Sequence, residues 1–538
     1  MLFLMGASTG AAYAVSNPGI TDVKIAQQDG ACTGIVKDAT GETVIGASVV
    51  VKGTTNGTIT GIDGDFSLSN VKKGDVIVIS FVGYISQEIV WDGKPVNVTL
   101  KDDTQTLDEV VVVGYGTQKK VNVTGAVGMV DSKVIAARPV QNVSQALQGV
   151  IPGLNLTVGN SGGSLDGEMN INIRGTGTIG DGSGSSPLVL IDGIEGNLNT
   201  VNPNDIESVS VLKDAASASI YGARASFGVI LVTTKSGKSG KTNVNYSGNV
   251  RFNDAIGIPE LMDSYTFAQY FNRASSNRGG GDIFSPAVME RIKAYQEGTL
   301  TATTVDNGSG IWQKWANANG NTDWFGEFYD NWVPSQEHNL SISGGTEKLQ
   351  YVLSGSFLDQ KGLLRHGTDK FQRYTLNSKI TANITDWLKV TLNSKWTRED
   401  FQRPTYLTSS FFHNLARKWP VHPAYDPNGF PMDEGEIEQM ENGGEQNSQK
   451  DYYTNQLHVV IEPIKNWRIN LEGSVRTTTQ YQHWEVLPVH AYDVNGDPYY
   501  TVWDMGYGSY SAGSSRVDEY SWKENYYTTN IYSDYFKQ

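Results

Sequence analysis

The chain has 538 residues, enough for several domains, and is rich in glycine (59), tyrosine (26) and tryptophan (12). This composition favours strands and tight turns over helical bundles. The formal net charge of -15 excludes nucleic acid as the natural partner, because phosphate contacts require clustered Lys and Arg. With one cysteine, Cys32, an internal disulfide is excluded, and the sequence contains no Cys/His cluster with the spacing of zinc ligands.

The N-terminal stretch, residues 1–14, reads MLFLMGASTGAAYA and ends in an A-x-A cleavage pattern. It predicts the end of a secretory signal peptide, clipped because the positively charged start is missing. No later window offers about 18 consecutive apolar residues, so we expect no transmembrane helix. A membrane location would therefore require β-structure.

Residues 31–102 alternate short strand-like runs, such as GASVVVKG and DVIVISFVGY, with turn dipeptides. Asn56-Gly57 and Asp63-Gly64 supply the positive φ angles of tight hairpins. About seven short strands in about 70 residues predict a small β-sandwich. Cys32 is interpreted as a small apolar residue at the edge of a strand.

Residues 106–118 place four consecutive valines, from Val110 to Val113, after an acidic pair and before linker-like residues. The run has ideal strand composition, yet its flanks offer no evident strand partner. One explanation is an ordinary buried strand of the preceding domain.

Residues 119–240 mix helix and strand signals and predict a compact α+β domain. VSQALQGVIPGL has the pattern of a short helix ended by Gly149 and Pro152, and MNINIRG, PLVLIDG and VILVTTK have the pattern of strands. Asn204 or Asp205 is expected to cap a segment that ends in the Ala/Ser-rich helix DAASASIYG.

Residues 241–538 contain strictly alternating segments. In RINLEGSVR, Ile469, Leu471 and Val475 face one side and polar residues face the other. Segments of about 9–11 residues with this period fit transmembrane barrel strands. We expect eight, near 242–253, 338–345, 350–360, 371–382, 387–399, 453–462, 467–481 and 524–536. Short turns alternate with long connections near 254–337, 400–452 and 482–523. This alternation is typical of outer-membrane β-barrels. The alternative is a soluble β-sandwich with one solvent-exposed face.

Motifs of enzymes are present only in broken form. Gly175, Gly177 and Gly180 match the dinucleotide pattern G-x-G-x-x-G, but a strand follows where the crossover helix is needed. GKSGKT lacks the first glycine of a phosphate loop, and DVNGDP lacks the spaced Glu of a calcium loop. We therefore expect no catalytic residue, no metal site and no cofactor, and the chain is not predicted to be an enzyme.

The order of these parts resembles the SusC/RagA-type TonB-linked outer-membrane transporters of the Bacteroidetes lineage. GIVKDATGETVIGASVVVKGTTNGTITGIDGDFSL followed by SFVGY is similar to their carboxypeptidase-regulatory-like domain, and LDEVVVVGYGTQKK to their TonB box region. NIRGTG, PLVLIDG and NPNDIESVSVLKDAASASIYGARASFGVILVTTK resemble the plug. The implied fold is β-rich: a sandwich at 31–102, a TonB box at 106–118, an α+β plug at 119–240 and a barrel at 241–538. A plugged barrel has about 22 strands; with about eight and no closing strand, we expect a fragment.

The resemblance assigns site residues. The TonB box would add as a strand to the sheet edge of TonB, through backbone hydrogen bonds, although it could also pair with its own domain at rest. Its residues are Asp108, Glu109, Val110, Val111, Val112 and Val113. The plug motif residues are Arg174, Gly175, Asp192, Gly193, Tyr221, Gly222 and Arg224. Substrate-contacting residues are not assigned.

The function implied by the resemblance is TonB-dependent import of an oligomeric nutrient across the bacterial outer membrane. A glycan is the first choice of cargo and a peptide the second. The implied partners are TonB, a SusD-like surface lipoprotein and outer-membrane lipid, with the N-terminal domain and the TonB box in the periplasm. A siderophore-type receptor and a surface binding protein that does not transport are the alternatives. Aromatic residues of the long loops would either stack on sugars or form a rim girdle and loop core: Trp312, Trp315, Trp324, Trp332 and Tyr406.

Overall fold

A computed structural model describes most of the chain, with gaps. The described residues are 30–81, 84–101, 110–113, 116–119, 126–138, 140, 142–158, 164–165, 167–175, 186–501, 503–504, 509–510 and 513–535. The predicted signal peptide, residues 1–14, and the acidic pair Asp108 and Glu109 lie outside them. The chain divides into two compact units, residues 1–109 and residues 110–538.

The first unit is the expected β-sandwich. Its strands are β1 (Gly30–Lys37), β2 (Ser48–Val51), β3 (Gly57–Ile59), β4 (Asp65–Val71), β5 (Val76–Ser80), β6 (Gln87–Val90) and β7 (Val96–Thr99). One sheet has the order β4-β1-β7 and the other β3-β2-β5-β6. Alternate residues of β1 point into the core, so Cys32 and Val36 are fully buried. Cys32 is the third residue of β1, close to the start of that strand, and is a buried core residue.

The second unit begins with a small antiparallel hairpin, β8 (Val110–Val113) and β9 (Gly116–Lys119). Val110 lies opposite Lys119, and Val113 opposite Gly116. The valine run is thus a strand with a partner in its own chain, and it belongs to neither sheet of the sandwich.

An α+β domain follows the hairpin. Its elements are β10 (Val127–Asp131), α1 (Ser132–Ala136), α2 (Val143–Leu147), β11 (Leu154–Val158), β12 (Met169–Ile173), β13 (Leu188–Ile191), β14 (Ile194–Glu195), β15 (Ile206–Leu212), α3 (Ala215–Ala218) and β16 (Val229–Thr234), with 3-10 turns at Leu198–Thr200, Pro203–Asp205 and Ser219–Ala225. The main sheet has the order β10-β15-β16-β13-β14. The core is apolar, with Val209, Val211 and Ile230 fully buried.

One helix start in this domain differs from the sequence-based expectation. Asp214 caps α3 by accepting a hydrogen bond from the Ser217 amide, whereas Asn204 and Asp205 lie in a 3-10 turn capped by Asn202. The expectation was wrong because the residues between, Ile206–Leu212, form the sheet strand β15. A β-branched run favours a strand once sheet neighbours cover it.

Residues 240–535 build one antiparallel sheet of eight strands, the wall sheet, in which neighbours in sequence are neighbours in space. The eight strands of the wall sheet are β17 (Gly240–Asn253), β18 (Val333–Gly345), β19 (Leu349–Lys361), β20 (Lys370–Thr385), β21 (Leu388–Pro404), β22 (Glu445–Ile464), β23 (Trp467–Val486) and β28 (Arg516–Tyr535). The loop before β28 contains four short strands outside this sheet: β24 (His490–Tyr492), β25 (Pro498–Tyr500), β26 (Trp503–Asp504) and β27 (Ser509–Tyr510). All eight predicted segments are confirmed as strands of a partial barrel sheet. They have 13 to 20 residues, more than expected, because the ladder continues through polar residues at one rim.

The two rims of the wall sheet differ. Connections of two or three residues, 346–348, 386–387 and 465–466, lie at one end, the turn rim. The other end, the loop rim, carries residues 254–332, 362–369, 405–444 and 487–515. This is the predicted alternation of short turns and long loops.

The distribution of apolar and polar side chains between the two faces of the wall sheet is the reverse of that in a soluble protein. Leu392 is 47% exposed, while its neighbour Asn393 is 4% exposed. The same holds in β23 for Val475, at 39%, and Ser474, at 8%. Apolar side chains point outward and polar ones point inward, as in an outer-membrane barrel and unlike a soluble sandwich.

The loops of the loop rim pack into apolar clusters of their own. They contain α4 (Ser264–Asn277), α5 (Pro286–Gln296), α6 (Trp324–Phe328), α7 (Ser409–Leu415) and α8 (Ile437–Asn442). Trp324 and Tyr406 are buried here together with Phe411, so these two aromatics form loop core. Among the helices that are described, none has the length and apolar content needed to cross a membrane.

Candidate functional site: the contact between the α+β domain and the wall sheet

A buried ionic contact between the α+β domain and the wall sheet centres on Asp192. It stands at the sharp turn between β13 and β14, where Asp192 and Gly193 both have positive φ angles of 50° and 86°. Glycine adopts this conformation freely, and aspartate tolerates it better than most residues. Thr234, at the end of β16, donates to the carboxylate from its amide at 2.9 Å and its hydroxyl at 2.6 Å. The α+β domain itself therefore holds the carboxylate in place.

The wall sheet supplies the remaining partners of Asp192. Lys395 contacts one carboxylate oxygen at 2.5 Å and Lys379 the other at 3.5 Å. Asn393 donates to the carboxylate at 3.0 Å, and Gln456 donates to the Asp192 carbonyl at 3.0 Å. The Asp192 side chain is 8% exposed, so this is a buried ion cluster that joins two parts of the fold.

Electrostatics keep Asp192 ionised. Burial alone would raise the pKa of its carboxyl, but the charges of Lys395 and Lys379 and the hydrogen bonds from Lys395 and Thr234 outweigh burial and hold that pKa well below its usual range. Asp205 is the opposite case, because burial raises the pKa of its carboxyl. Asp205 meets the wall through the amide of Asn377.

A second row of contacts uses backbone carbonyls of the 3-10 turn region. Arg373 donates to the Asn199 carbonyl at 2.6 Å, and Thr397 donates to the Thr200 carbonyl at 3.0 Å. Arg476 donates to the carbonyl of Glu195. These bonds are polar and directional, so separation of the two surfaces would exchange them for bonds to water.

A cavity of about 270 Å³ lies beside this contact. It is lined from the α+β domain by Glu195, Asp205 and Lys235, and from the wall by Lys379, Lys395, Lys450 and Arg476, together with Tyr452 and Trp522. Glu524 of the wall also lines the cavity, so five basic and three acidic side chains surround it. At this place the two surfaces meet through charged groups around open space, whereas elsewhere Leu165 packs against the apolar wall residues Leu358, Phe371 and Phe401.

The plug motif residues predicted from sequence do not form one cluster. Asp192 and Arg224 both reach the wall: Arg224 donates to the Tyr526 hydroxyl and to the Glu195 carboxylate, each at 3.2 Å. Tyr221 is buried in the core of the domain. The remaining motif residues lie at turns with positive φ: Arg174 (60°), Gly175 (96°), Gly193 (86°) and Gly222 (66°).

The wall residues that bind Asp192 were not identified from sequence. A signal existed, because Lys395 and Asn393 lie on the polar side of the alternating segment KVTLNSKWT. Alternation assigns them to the inward face but cannot say which residue of the domain they meet. In the part of the chain that the structure describes, no group of three or more His, Cys, Asp or Glu side chains could hold a metal ion.

Comparisons with known families and proteins agree with this architecture. A model of the TonB-dependent receptor plug domain matches residues 119–229, and a model of the CarboxypepD_reg-like domain matches residues 32–112. The TonB-dependent receptor SusC of Bacteroides thetaiotaomicron is 37% identical over 375 residues, which are 68% of this chain and 33% of the relative. A TonB-dependent receptor of Formosa agariphila is 33% identical over 393 residues, 72% of this chain and 34% of the relative.

Among solved structures, the RagAB peptide importer in its open-open state shares the fold, with a TM-score of 0.62 and 24% identity, covering 79% of this chain and 47% of that chain. The chain spans about a third of the length of the two curated relatives. Their family is one of receptors and transporters, not of enzymes. The two domain matches, the relatives and the outward-facing apolar wall together identify this chain as a member of the SusC/RagA-type TonB-dependent receptors.

Proposed function

We propose that the protein imports an oligomeric nutrient, a glycan or a peptide, across the bacterial outer membrane with energy delivered by TonB. The observation that carries this proposal is the polar contact around Asp192. A domain that must leave or rearrange inside a barrel needs an interface whose groups can be rehydrated, and charged groups beside a cavity satisfy that need. A fixed structural filler would instead be expected to bury apolar surface against the wall.

The proposed arrangement follows from the two rims. The turn rim faces the periplasm and the loop rim faces outward. Residues 119–240 form the plug, residues 241–538 contribute to the barrel, and residues 31–102 and 106–118 lie in the periplasm. A SusD-like surface lipoprotein would cover the loop rim, where the packed loops offer a folded surface. RagAB, which shares the fold, is a peptide importer; this supports an oligomeric cargo without choosing between glycan and peptide.

Cells that lack TonB should still bind a labelled oligosaccharide or peptide mixture at their surface but should no longer take it up. We expect accumulation in the periplasm to stop while binding at the surface persists, because capture needs no energy and plug movement does. The comparison uses matched strains with and without TonB, each expressing the protein from its own gene. Accumulation that continues at the normal rate without TonB would show a passive channel.

The wall sheet carries a prediction about lipid contact. Leu392→Arg places a charge on the outward apolar face and should destabilise the inserted protein by about 2–4 kcal/mol if the site lies at the bilayer midplane. The measurement is the amount of folded, heat-modifiable protein in outer-membrane fractions. We expect a strong decrease.

The matched control is Thr391→Arg, one residue away on the inward face. Thr391 lines an open cavity of about 1400 Å³ between the plug and the turn rim, so an arginine there keeps access to water and should change abundance little. Equal losses for both variants would contradict the assignment of the outward face to lipid.

A further inference from the structure

The outward face of the wall sheet contains a groove of about 520 Å³. Gly355 of β19 lines this groove and leaves a notch in it, because glycine places no side chain on the outward face. The neighbours of Gly355 across the sheet are Leu340 of β18 and Leu376 of β20. Trp396 of β21 and Tyr453 of β22 continue the same row. The notch is therefore bordered by large apolar and aromatic side chains.

A row of polar side chains crosses the groove one step closer to the turn rim. Ser378, Ser394 and Asn455 are neighbours across β20, β21 and β22, and all three line the groove. The Ser394 hydroxyl donates to the Asn455 amide oxygen at 2.8 Å. The exposed Asn455 NH2 group donates to none of the described residues. Because a donor without an acceptor is costly in lipid, this row favours a lipid that brings acceptor groups.

The depth of this row can be measured along β21. Between Leu388 and Trp396 the outward side chains of β21 are apolar apart from Ser394, and Arg398 is the first charged one. With a rise of about 3.3 Å per residue and a tilt of about 40°, the stretch from Leu388 to Arg398 spans about 25 Å. This is the height of the apolar band of outer-membrane barrels, about 25 Å. Ser394 lies about 10 Å below Arg398, in the half of the band that is nearer the loop rim.

Arg398 supplies a cation at the upper end of the groove. Its Nε and Nη2 groups donate to the Asp451 carboxylate at 2.9 and 2.8 Å, whereas its Nη1 group donates to none of the described residues. The guanidinium carbon is 5.7 Å from the centroid of the Trp396 ring, so the cation leans toward the groove. A phosphate placed above the groove could accept from the Nη1 group in a charge-assisted hydrogen bond.

We propose that this groove binds lipid A, the phosphorylated sugar lipid of the outer leaflet that carries several acyl chains. One acyl chain lies in the notch at Gly355, its carbonyl oxygen accepts from Asn455, and a phosphate meets Arg398. Lipid A fits the polar row better than a glycerophospholipid does, because it brings several acyl carbonyls and hydroxyls to one depth. The inference rests on the proposed outer-membrane location of the wall sheet and is independent of the cargo and of TonB.

Native mass spectrometry of the whole purified protein in mild detergent tests the site. Protein stripped of lipid is titrated with purified lipid A and, separately, with phosphatidylethanolamine, and the bound lipid molecules are counted. We expect one tightly bound lipid A, and at least about tenfold weaker binding of phosphatidylethanolamine, the scale of one hydrogen bond. Equal affinity for the two lipids would overturn the choice of lipid A.

Gly355→Leu fills the notch and should weaken lipid A binding at least about tenfold. An added Cβ at Gly355 already lies 3.2 Å from a Leu376 methyl carbon. The matched control is Gly473→Leu in β23, two residues before the outward-facing Val475. An added Cβ at Gly473 meets nothing within 4 Å, and Gly473 does not line the groove, so this variant should bind lipid A as the wild type does. Unchanged binding by Gly355→Leu, or equal losses in both variants, would overturn the site.

Asn455→Leu removes the donor and keeps the protein suited to lipid, because leucine is apolar. We expect about tenfold weaker binding of lipid A and an undiminished amount of inserted protein. The matched control is Asn525→Leu in β28: Asn525 also accepts from a neighbouring hydroxyl, that of Thr477, at 2.8 Å, but lies outside the groove and should be neutral. Lipid A binding that survives Asn455→Leu in inserted protein would overturn the site and leave the proposed transport standing.

Discussion

Val112→Pro should abolish energised uptake while the amount of protein in the membrane and the binding of substrate at the surface stay normal. The reason lies in the hairpin β8–β9. Two residues separate Val113 from Gly116, and the closing pair of such a hairpin is hydrogen-bonded. Alternation along the ladder then turns the N–H groups of Val111 and Val113 toward β9 and those of Val110 and Val112 toward the other edge, which pairs with none of the described strands and is here called the open edge.

The open edge is where TonB would add a strand under the proposed function. Proline at 112 removes a donor from that edge and leaves the hydrogen-bonded positions of the hairpin in place. Loss of one backbone bond to a partner should weaken docking about 10- to 100-fold. Val112→Thr keeps a β-branched residue with its donor and should preserve most uptake.

Gln118→Pro is the structural control for the same experiment. Gln118 lies opposite Val111 in β9, so this proline disrupts the hairpin but removes no donor from β8. Uptake should persist in Gln118→Pro. Uptake that survives Val112→Pro would eliminate strand addition through β8, and reduced abundance of Val112→Pro would indicate that β8 is a structural strand.

Asp192→Asn should weaken the hold of the wall sheet on the plug by about 3–5 kcal/mol, the usual cost of removing one partner from a buried ion pair. Lys395 and Lys379 would be left buried without their anion, each being 16% exposed in the side chain. Hydrogen exchange of β13 and β16 in the whole protein measures the loss, which corresponds to at least about a hundredfold faster opening. A second readout is leakage of a large antibiotic that an intact outer membrane excludes.

Asp205→Asn provides a matched comparison, since Asp205 is also buried at the contact and also meets an amide of the wall, that of Asn377. Its raised pKa means that the fold disfavours its ionised form, so a neutral amide at this position removes no stabilising charge. The change should therefore be small, below about 1 kcal/mol, the scale of a neutral hydrogen bond. Similar losses for both variants would show that any polar change at the contact releases the plug and that the charge of Asp192 has no special role.

The Asp192 cluster should depend on pH only in strongly acidic solution. The pKa of Asp192 is depressed in the fold, so its contribution is complete above the ordinary carboxyl pKa of about 3.9 and is lost only as pH falls toward the lower folded value. The plug contact should thus be insensitive to pH near neutrality.

The strands of the wall sheet could be predicted from the sequence because the pattern that marks them lies within each strand. Alternation with a period of two, as in RINLEGSVR, decides which residues share a face without reference to any other strand. The positions of short turns and long connections then determine the two rims. The turn dipeptides of the sandwich were only partly right. Gly64 has a φ of 72° in a turn, as expected, but that turn joins strands of different sheets. Gly57 lies in β3, and the turn between β2 and β3 has its positive φ at Gly53, 79°.

Other features depended on residues far apart in the chain. Trp324 and Tyr406 looked equally suited to bind sugar or to fill a loop core, and only the packing of two loops buries them. The helix cap was misplaced for a related reason: Ile206–Leu212 becomes a strand because β10 and β16 flank it, which no local pattern reports.

The partners of Asp192 show most clearly where sequence reasoning ends. PLVLIDG has the pattern of a strand, and KVTLNSKWT places lysines on the polar side of an alternating strand. The two segments are 203 residues apart at Asp192 and Lys395, and their contact depends on how the plug docks against the wall. That docking is decided by the fit of whole surfaces and by the cost of leaving either charge buried alone, which are properties of the assembled fold.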